Sequence, residues 1–451
     1  MNLGRRDFLR SGLAFGALGI GVMSPALWTR QLMAGNPGQN KKLIFIFQRG
    51  GNDGLNTVIP RGDSEYNTTR RPSLYIPPAQ AIDLGNGFAQ LNLAMAPMTE
   101  IFNKASINGL DGPGNLAVIH RVGYANQSRS HFTSQDYWEV GSPGDKELRE
   151  GMFYRSLAQR HDLGAPENSF LAASISSDQI LGLRGQKPFP NFTDSGDFGF
   201  LGNNSVQSKF LGSLPSSGTA NDGTGILGLY GGSPLFKERP YHQRVHDTGR
   251  ALGGSIETIR EAIADEYVPA NGAVYPDGSL GDRLREAAIL VKNTQVKVVG
   301  INKGGWDTHS NQRNGHDDQL GDLAQGFQAL YRDLQDQWED VLVITMTEFG
   351  RTSEENGSNG TDHAEASVMF AAGGCVNGGV YNCDETTWED GDMFSKRDRY
   401  LARKTDFRAI FGEMFMKHFG DSRESLEMTM PGYNFAEEDS PADFKYLDFL
   451  T

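Results

Sequence analysis

Five short apolar runs constrain the fold of this chain more than any other feature of its sequence. They cover residues 42–47, 116–120, 296–301, 341–346 and 367–372. Such nearly continuous runs are typical of strands that are covered on both faces, as in a parallel sheet. Helical patterns lie between or after them, at residues 280–292, 320–338 and 407–419. This alternation of strand and helix predicts an α/β fold with a mainly parallel central sheet.

The N-terminal segment has the pattern of an export signal. Arg5 and Arg6 precede a stretch, residues 11–29, that carries no charge and is rich in Gly, Ala and Leu. This pattern is typical of a twin-arginine signal, and we predict one at residues 1–34. A membrane helix is the alternative, although the glycines make the stretch weakly apolar for a stable span. The signal predicts a periplasmic or secreted protein that meets the twin-arginine (Tat) translocase during export.

The rest of the chain, residues 41–451, is predicted to form one α/β domain. A loop-rich insertion is expected at about 174–241, where Gly, Ser, Asn and Pro replace the apolar patterns. The chain carries 42 Lys and Arg against 56 Asp and Glu, which gives a net charge of -14. Phosphate contacts need clustered cations, so nucleic acid is not an expected partner.

The chain has two cysteines, Cys375 and Cys383. In an oxidising compartment they could close a small loop with a disulfide worth about 2 to 3 kcal/mol, and the alternative is a pair of free thiols. Two cysteines without a second pair do not make a structural zinc site.

Polar residues with metal-binding chemistry stand next to the predicted strands. They are Asp53 after the first strand, Asp307 and His309 after the strand at 296–301, Glu348 after the strand at 341–346, and His363 before the last. In open α/β sheets the carboxyl ends of the strands form the ligand-binding edge. Carboxylates and imidazoles are common ligands of divalent metals. We therefore predict that these residues share one site.

Each of these residues also has a plain structural interpretation. Asp53 lies in an Asn-Asp-Gly triplet, which is a common turn signal. The pair Asp307 and His309 is compatible with an ordinary capping loop. Glu348 could form an ion pair with Arg351. Ser130 beside His131 resembles a nucleophile with its base, but Ser and His that are adjacent in sequence seldom face each other.

Five motifs together resemble the exported bacterial proteins grouped as domain of unknown function 1501 (DUF1501). The motifs are Gly-Gly-Asn-Asp-Gly at 50–54, Ser-His-Phe at 130–132, Gly-Trp-Asp-Thr-His-Ser at 305–310, Thr-Glu-Phe-Gly-Arg at 347–351 and Asp-His at 362–363. That family in turn resembles the alkaline phosphatase and sulfatase superfamily. The resemblance implies a three-layer sandwich whose mainly parallel sheet carries two metals and a nucleophile at its carboxyl edge.

The resemblance also implies roles for single residues. Asp53 matches the first metal-binding Asp, Asp307 and His309 match an Asp and a His on one metal, and His363 matches a later lone His ligand. Glu348 stands where an Asp-His pair normally follows the strand, and Phe349 replaces the His. Ser130 is the nearest match to the nucleophile, with Ser128 and Thr133 as rivals, and Arg351 or Arg129 would bind the ester oxygens.

The resemblance implies an exported, metal-dependent hydrolase of phosphate or sulfate esters. One or two divalent ions (Zn, Mg, Mn or Ca) would act on a small-molecule or glycan ester. The formylglycine type of sulfatase is excluded because neither cysteine lies in a Cys-x-Pro-Ser-Arg segment. Two alternatives remain open: a non-catalytic exported binding protein on the same fold, related to glycans, and a phosphoryl transferase or mutase.

Overall fold

A computed structural model describes residues 40–103, 114–198, 240–434 and 446–451. The predicted signal at 1–34 and residues 199–239 of the predicted insertion lie outside the described residues. Within the described ranges, no helix combines the length and the apolar character that a membrane crossing requires.

The described residues contain a large, mainly parallel sheet and a small antiparallel one. The strands are β1 Lys42–Gln48, β2 Val58–Pro60, β3 Ala81–Asp83, β4 Ala89–Asn92, β5 Leu116–Gly123, β6 Ala172–Ile175, β7 Asn191–Phe192, β8 Val298–Lys303, β9 Val341–Met346, β10 Ser367–Gly373, β11 Gly379–Tyr381 and β12 Thr405–Asp406. The large sheet has the order β11-β5-β10-β9-β1-β8-β6-β7, and β12 also pairs with β5. The small sheet has the order β2-β4-β3.

Strand β10 is the exception to the parallel arrangement of the large sheet. It runs antiparallel to both of its neighbours, β5 and β9. The pairs of β1 with β8 and of β1 with β9 are parallel, as are those of β6 with β7 and with β8. The beginning of β10 therefore lies at the edge where β1, β8 and β9 end. The prediction of a mixed α/β fold with a mainly parallel sheet is confirmed.

Helices cover both faces of this sheet. They are α1 Gly54–Thr57, α2 Thr99–Phe102, α3 His131–Val140, α4 Met152–Arg160, α5 Pro240–Ala262, α6 Ser279–Asn293, α7 Gln312–Asp333, α8 Phe407–Glu413 and α9 Arg423–Thr429. Side chains alternate along a strand, so Phe45 in β1 packs into one core with α3, α4 and α8, where its ring stacks on Phe153 at 4.3 Å. Its neighbour Ile46 packs into the other core with α6 and α7.

Some elements differ from the sequence pattern. The long amphipathic helix α7 ends at Asp333, and Trp338 lies in a 3-10 turn that follows it. Helix α8 continues as a π-helical turn, Met414–His418. Strands β6 and β7, which fall partly within the range predicted as an insertion, pair into the large sheet. Both are short, and Asn191 and the two alanines of β6 give them weak apolar signals.

The two cysteines do not pair. Both thiols are free, with Cys383 buried and Cys375 half-buried. Burial raises the pKa of the Cys375 thiol to about 11 and raises the pKa of the Cys383 thiol further. Thiols with such pKa values form little thiolate near neutral pH, so neither is a reactive nucleophile.

Candidate functional site

Four loops bring polar side chains together at the carboxyl edge of the large sheet. Asp307 and His309 follow β8, and Glu348 follows β9. His131 is the first residue of α3, which comes after β5. His363 reaches the same edge because it precedes the antiparallel strand β10. The fold therefore places Asp307, His309, Glu348, His363 and His131 close to one another.

Three imidazoles converge on one carboxylate oxygen of Asp307. Its Oδ1 atom lies 3.1 Å from Nε2 of His309 and 3.4 Å from Nε2 of both His131 and His363. Ligand atoms of His131, Asp307 and His363 all lie within 4.8 Å of one another. The Asp307 side chain is 50% exposed, so solvent reaches the cluster. We call these four residues the histidine cluster.

The outer nitrogen of each ring is held by an acceptor. The Nδ1 contacts are His131 to Glu348 Oε1 at 2.8 Å, His309 to Asp362 Oδ1 at 3.2 Å, and His363 to the carbonyl of Arg129 at 2.8 Å. A carbonyl or a carboxylate accepts, so each Nδ1 carries the proton of the neutral ring. Each Nε2 atom then carries a lone pair near Oδ1 of Asp307, and metal-binding histidines likewise keep one ring nitrogen free for the ion while the other is hydrogen-bonded.

The donor set fits a divalent metal ion. Nε2 of His309 lies only 2.8 Å from Nε2 of His363, and two lone pairs cannot bond each other. Nε2 of His131 is buried and has no hydrogen-bond partner within the described residues. A cation, or an additional proton on one ring, is needed to remove the repulsion between these lone pairs. Three imidazole nitrogens with one carboxylate oxygen are typical ligands of zinc and related first-row metals.

The electrostatics keep Asp307 available as a ligand. Burial acts to raise its pKa, but the hydrogen bond and charge of Arg351 lower the pKa of Asp307 to about 2. The hydrogen bond that His131 donates to Glu348 raises the pKa of His131, whereas burial lowers the pKa of His363. Asp307 is therefore ionised at neutral pH.

Glu348 lies behind His131 and not among the converging atoms. Its Oε1 atom accepts hydrogen bonds from Nδ1 of His131, the backbone N–H of Gly50 and Nε2 of Gln135, each at 2.8 Å. The side chain is fully buried. These contacts orient the His131 ring, which is how carboxylates commonly support a metal-binding histidine.

Phe349, the residue after Glu348, forms a wall of the site. It is fully buried, and its ring lies 4.8 Å from that of His131 and 4.6 Å from that of His363. The phenyl ring offers no ligand atom, but it fixes the positions of two imidazoles that do.

The structure does not bring Asp53 to the histidine cluster. Its carboxylate is fully buried, pairs with Arg71 at 2.7 Å and accepts from Nε2 of Gln312 at 2.6 Å. Although burial opposes ionisation, the charge of Arg71 holds the pKa of Asp53 below its usual value. Gln312 in turn accepts from the hydroxyls of Thr308 and Thr361, so this network supports the loops that carry Asp307 and His363.

Arg351 is buried and bound mainly to backbone. Its guanidinium donates to the carbonyls of Gly50, Gly51, Trp306 and Thr361 and, at 2.7 Å, to Oδ1 of Asp307. Through these contacts Arg351 binds both the loop after β1 and the loop after β8. Gly50 has a φ of +125°, and a Cβ there would lie 2.4 Å from the backbone nitrogen of Asp307, so only glycine allows this approach.

Ser130 is exposed and immediately precedes α3. Its carbonyl accepts from the N–H of Ser134, and its backbone N–H donates to Oγ of Ser128 at 3.3 Å. Within the described residues the Ser130 hydroxyl makes no hydrogen bond, so the structure does not pair it with His131 as a base. Ser130 nevertheless immediately precedes His131, a member of the histidine cluster, in the sequence.

Two supporting groups, the Arg129 carbonyl and Gln135, were not predicted from the sequence. Nε2 of His131 lies 3.4 Å from Oδ1 of Asp307, and the Nε2 atoms of the other two imidazoles lie near the same oxygen. The Arg129 carbonyl, which accepts from Nδ1 of His363, had no signal in the sequence. Gln135 had one: it follows His131 by four residues on α3, so both side chains lie on one helix face toward Glu348.

One family model matches part of the chain. It is described as "Protein of unknown function (DUF1501)" and matches residues 257–397. The match supports the DUF1501 family. It covers Asp307, His309, Glu348 and His363, while the first segment of the site, with Asp53, and the Ser-His-Phe segment lie outside it. No curated protein matches this chain.

Proposed function

We propose that this chain is an exported hydrolase of phosphate or sulfate esters that works with a divalent metal ion bound by the histidine cluster. The observation that carries the proposal is the orientation of the three rings, whose Nε2 atoms face Asp307 while their Nδ1 atoms are held by acceptors. A site of this kind at the carboxyl edge of a mainly parallel sheet also supports an alkaline-phosphatase-like sandwich as the fold.

The proposed site holds a single ion. Ligand atoms of His131, Asp307 and His363 lie within 4.8 Å of one another, and Nε2 of His309 lies beside those of Asp307 and His363. Asp53, which the resemblance places among the metal ligands, is instead paired with Arg71 and Gln312. When bound, a divalent ion would polarise an ester oxygen and activate a hydroxyl or a water molecule. The three imidazoles and Asp307 would hold that ion, and Glu348 would keep the ring of His131 in place.

The start of α3 offers a place for the ester group. Ser130 is exposed there, and the first backbone N–H groups of a ten-residue helix carry a partial positive charge that stabilises anions. We assign the attacking oxygen to Ser130 or to a water molecule beside it. Arg129, which is exposed and contacts the Tyr400 hydroxyl, is a better placed anion partner than the buried Arg351.

Metal analysis of the purified chain tests the proposal. We expect about one equivalent of a divalent metal, loss of that metal in Asp307→Ala and His309→Ala, and metal-stimulated hydrolysis of 4-nitrophenyl phosphate or sulfate. His161→Ala serves as the matched control, because His161 lies at the end of α4, outside the cluster. A chain with no bound metal and no metal-stimulated hydrolysis would contradict the proposal.

A metal-dependent binding protein without turnover is the second candidate. It is favoured by the Ser130 hydroxyl, which has no hydrogen bond to a base within the described residues. Stoichiometric metal binding together with undetectable hydrolysis of both esters would support this candidate over the hydrolase.

A further inference from the structure

A polar cavity of about 390 Å³ lies beside the histidine cluster at the same edge of the sheet. Its lining includes Arg49 directly after β1, Ser176 directly after β6, Asn302 in β8, Gly304 directly after β8, and Arg283 from α6. We call it the Arg49 cavity. Its volume lies at the lower end of the range of roughly 300 to 1,000 Å³ that is common for small-molecule sites.

The charges of the Arg49 cavity balance. The guanidinium of Arg49 pairs with Glu139 at 2.7 Å, and the remaining charged residues of the lining are Arg283 and Asp178. Two cations and two carboxylates leave no net charge. The cavity therefore suits a neutral polar group better than a phosphate or a sulfate.

Donors and acceptors alternate along the cavity wall. Asn302 accepts from Nε of Arg49 at 2.9 Å and donates to the hydroxyl of Ser176 at 3.1 Å. Arg283 donates to the carbonyl of Asn302 at 2.6 Å. Guanidinium, carboxylate, amide and hydroxyl groups in one cavity match a ligand whose groups both donate and accept, and the hydroxyls of a sugar ring do both.

Three consecutive hydrogen bonds join this cavity to the histidine cluster. Arg49 donates to Oε1 of Gln135 at 2.9 Å, Gln135 donates to Glu348 at 2.8 Å, and Glu348 accepts from His131 at 2.8 Å. In the other direction, Gly304 in the lining precedes Asp307 by three residues. The cavity and the cluster are therefore neighbours at the same edge of the sheet.

We infer that the Arg49 cavity binds the sugar part of a sugar phosphate or sugar sulfate whose ester group lies at the histidine cluster. This inference rests on the proposed function for the ester group. Binding of the sugar part alone depends only on the cavity, and it can be measured whether or not the chain hydrolyses an ester.

Filling the cavity tests the inference. Gly304 is exposed, and a Cβ there would meet no atom within 4 Å, so Gly304→Trp adds a large ring at the cavity wall without a backbone clash. Gly315 in α7 is equally exposed and open but does not line the cavity, which makes Gly315→Trp the matched control. Arg283→Ala is a second variant that removes a donor from the wall.

Saturation-transfer NMR with glucose, galactose, mannose and N-acetylglucosamine is the readout. We expect at least one of these sugars to bind the wild type, with affinity reduced at least about tenfold in Gly304→Trp, lowered in Arg283→Ala and unchanged in Gly315→Trp. We also expect the KM for the phosphate of that sugar to rise in Gly304→Trp and to stay at the wild-type value in Gly315→Trp.

The two proposals can fail separately. If none of the four sugars binds the wild type, or if both cavity variants bind them as the wild type does, the cavity inference is wrong. If a sugar binds and Gly304→Trp abolishes that binding in a protein that hydrolyses neither ester, the cavity inference is supported and the hydrolase is contradicted.

Discussion

The Nε2 atoms of His309 and His363 lie 2.8 Å apart although both rings donate through Nδ1 to other acceptors. Two neutral rings in this tautomer would repel each other at that distance, because each presents a lone pair to the other. Either a second proton on one ring or a shared cation removes the repulsion. Oδ1 of Asp307 lies 3.1 to 3.4 Å from all three Nε2 atoms, and its negative charge stabilises a positive charge of either kind at this point.

The carboxylate behind His131 is expected to tune metal binding without being a ligand. Glu348→Gln keeps an oxygen that accepts from Nδ1 of His131 but removes the negative charge. We expect metal affinity to fall about 10- to 100-fold, the usual effect of altering such an outer partner, whereas His131→Ala should fall further. Competition with a chelator measures both. Glu424→Gln, an exposed change in α9, should leave the affinity unchanged.

An unchanged metal affinity in Glu348→Gln would contradict the orienting role. A complete loss of metal in this variant, equal to that in Asp307→Ala, would instead indicate that Glu348 is itself a ligand.

Asp53 is expected to matter for stability and not for metal content. Asp53→Asn leaves the buried guanidinium of Arg71 without its counter-charge, which typically costs about 3 to 5 kcal/mol of unfolding free energy. Denaturant unfolding measures this cost, and metal analysis of the same sample should still find the ion. The double variant Asp53→Asn with Arg71→Met removes the uncompensated charge, so it should be more stable than Asp53→Asn alone. Loss of metal at unchanged stability would return Asp53 to the ligand set.

The apolar runs predicted the sheet well because its central strands are covered on both faces. The run at 341–346 coincides with β9, and the run at 42–47 is the core of β1. Strand β6 was not predicted, because its sequence, Ala-Ala-Ser-Ile, is only weakly apolar. It forms a strand through its pairing with β8. Local pattern was sufficient only where burial was complete.

The sequence predicted which loops form the candidate site, but not what each residue of those loops does there. Asp53 and Asp307 both follow buried strands, and nothing local distinguishes them. Their environments differ because of Arg71, which lies eighteen residues beyond Asp53 in the sequence. Its guanidinium binds the Asp53 carboxylate in the protein interior. The same limit applies to His131, whose direction is set by Glu348 from a distant strand.

Acid should destabilise the fold through two buried histidines. Burial lowers the pKa of His120 to about 4 and that of His418 to about 3, against an ordinary value near 6.5. As the pH falls below about 6.5, these two histidines bind protons in the unfolded chain but not in the folded one. The stability that they contribute above pH 6.5 is therefore lost, down to about pH 4 for His120 and about pH 3 for His418. Each group contributes about 1.4 kcal/mol per pH unit within this window.

The variant His120→Gln isolates one of these contributions. In the wild type the ring is satisfied when neutral, since Nε2 donates to the carbonyl of Val58 and Nδ1 accepts from the N–H of Arg121. We expect the variant to lose less stability than the wild type between pH 6.5 and 4.5, measured by urea unfolding. Contributions from the histidine cluster cancel in this comparison. Equal slopes in the two proteins would contradict the assignment.

Export is expected to depend on the paired arginines near the N-terminus. Lysine keeps the charge but not the planar fork of the guanidinium, so the double change Arg5→Lys with Arg6→Lys should leave the chain in the cytoplasm with its signal uncleaved. Cell fractionation and the mass of the purified chain measure this. Arg10→Lys, outside the pair, is the control. Normal export of the double variant would contradict a twin-arginine route.

The exposed hydroxyl before α3 is expected to separate chemistry from metal binding. Ser130→Ala removes no contact of the cluster, because the described hydrogen bonds of Ser130 are made by its backbone. If its oxygen attacks the ester, hydrolysis should fall at least about 100-fold with metal content unchanged. Ser128→Ala is the rival test, since Oγ of Ser128 accepts from the N–H of Ser130 and so supports the loop. A larger loss of hydrolysis in Ser128→Ala than in Ser130→Ala would assign the attack to Ser128. Wild-type hydrolysis in both variants would assign it to water.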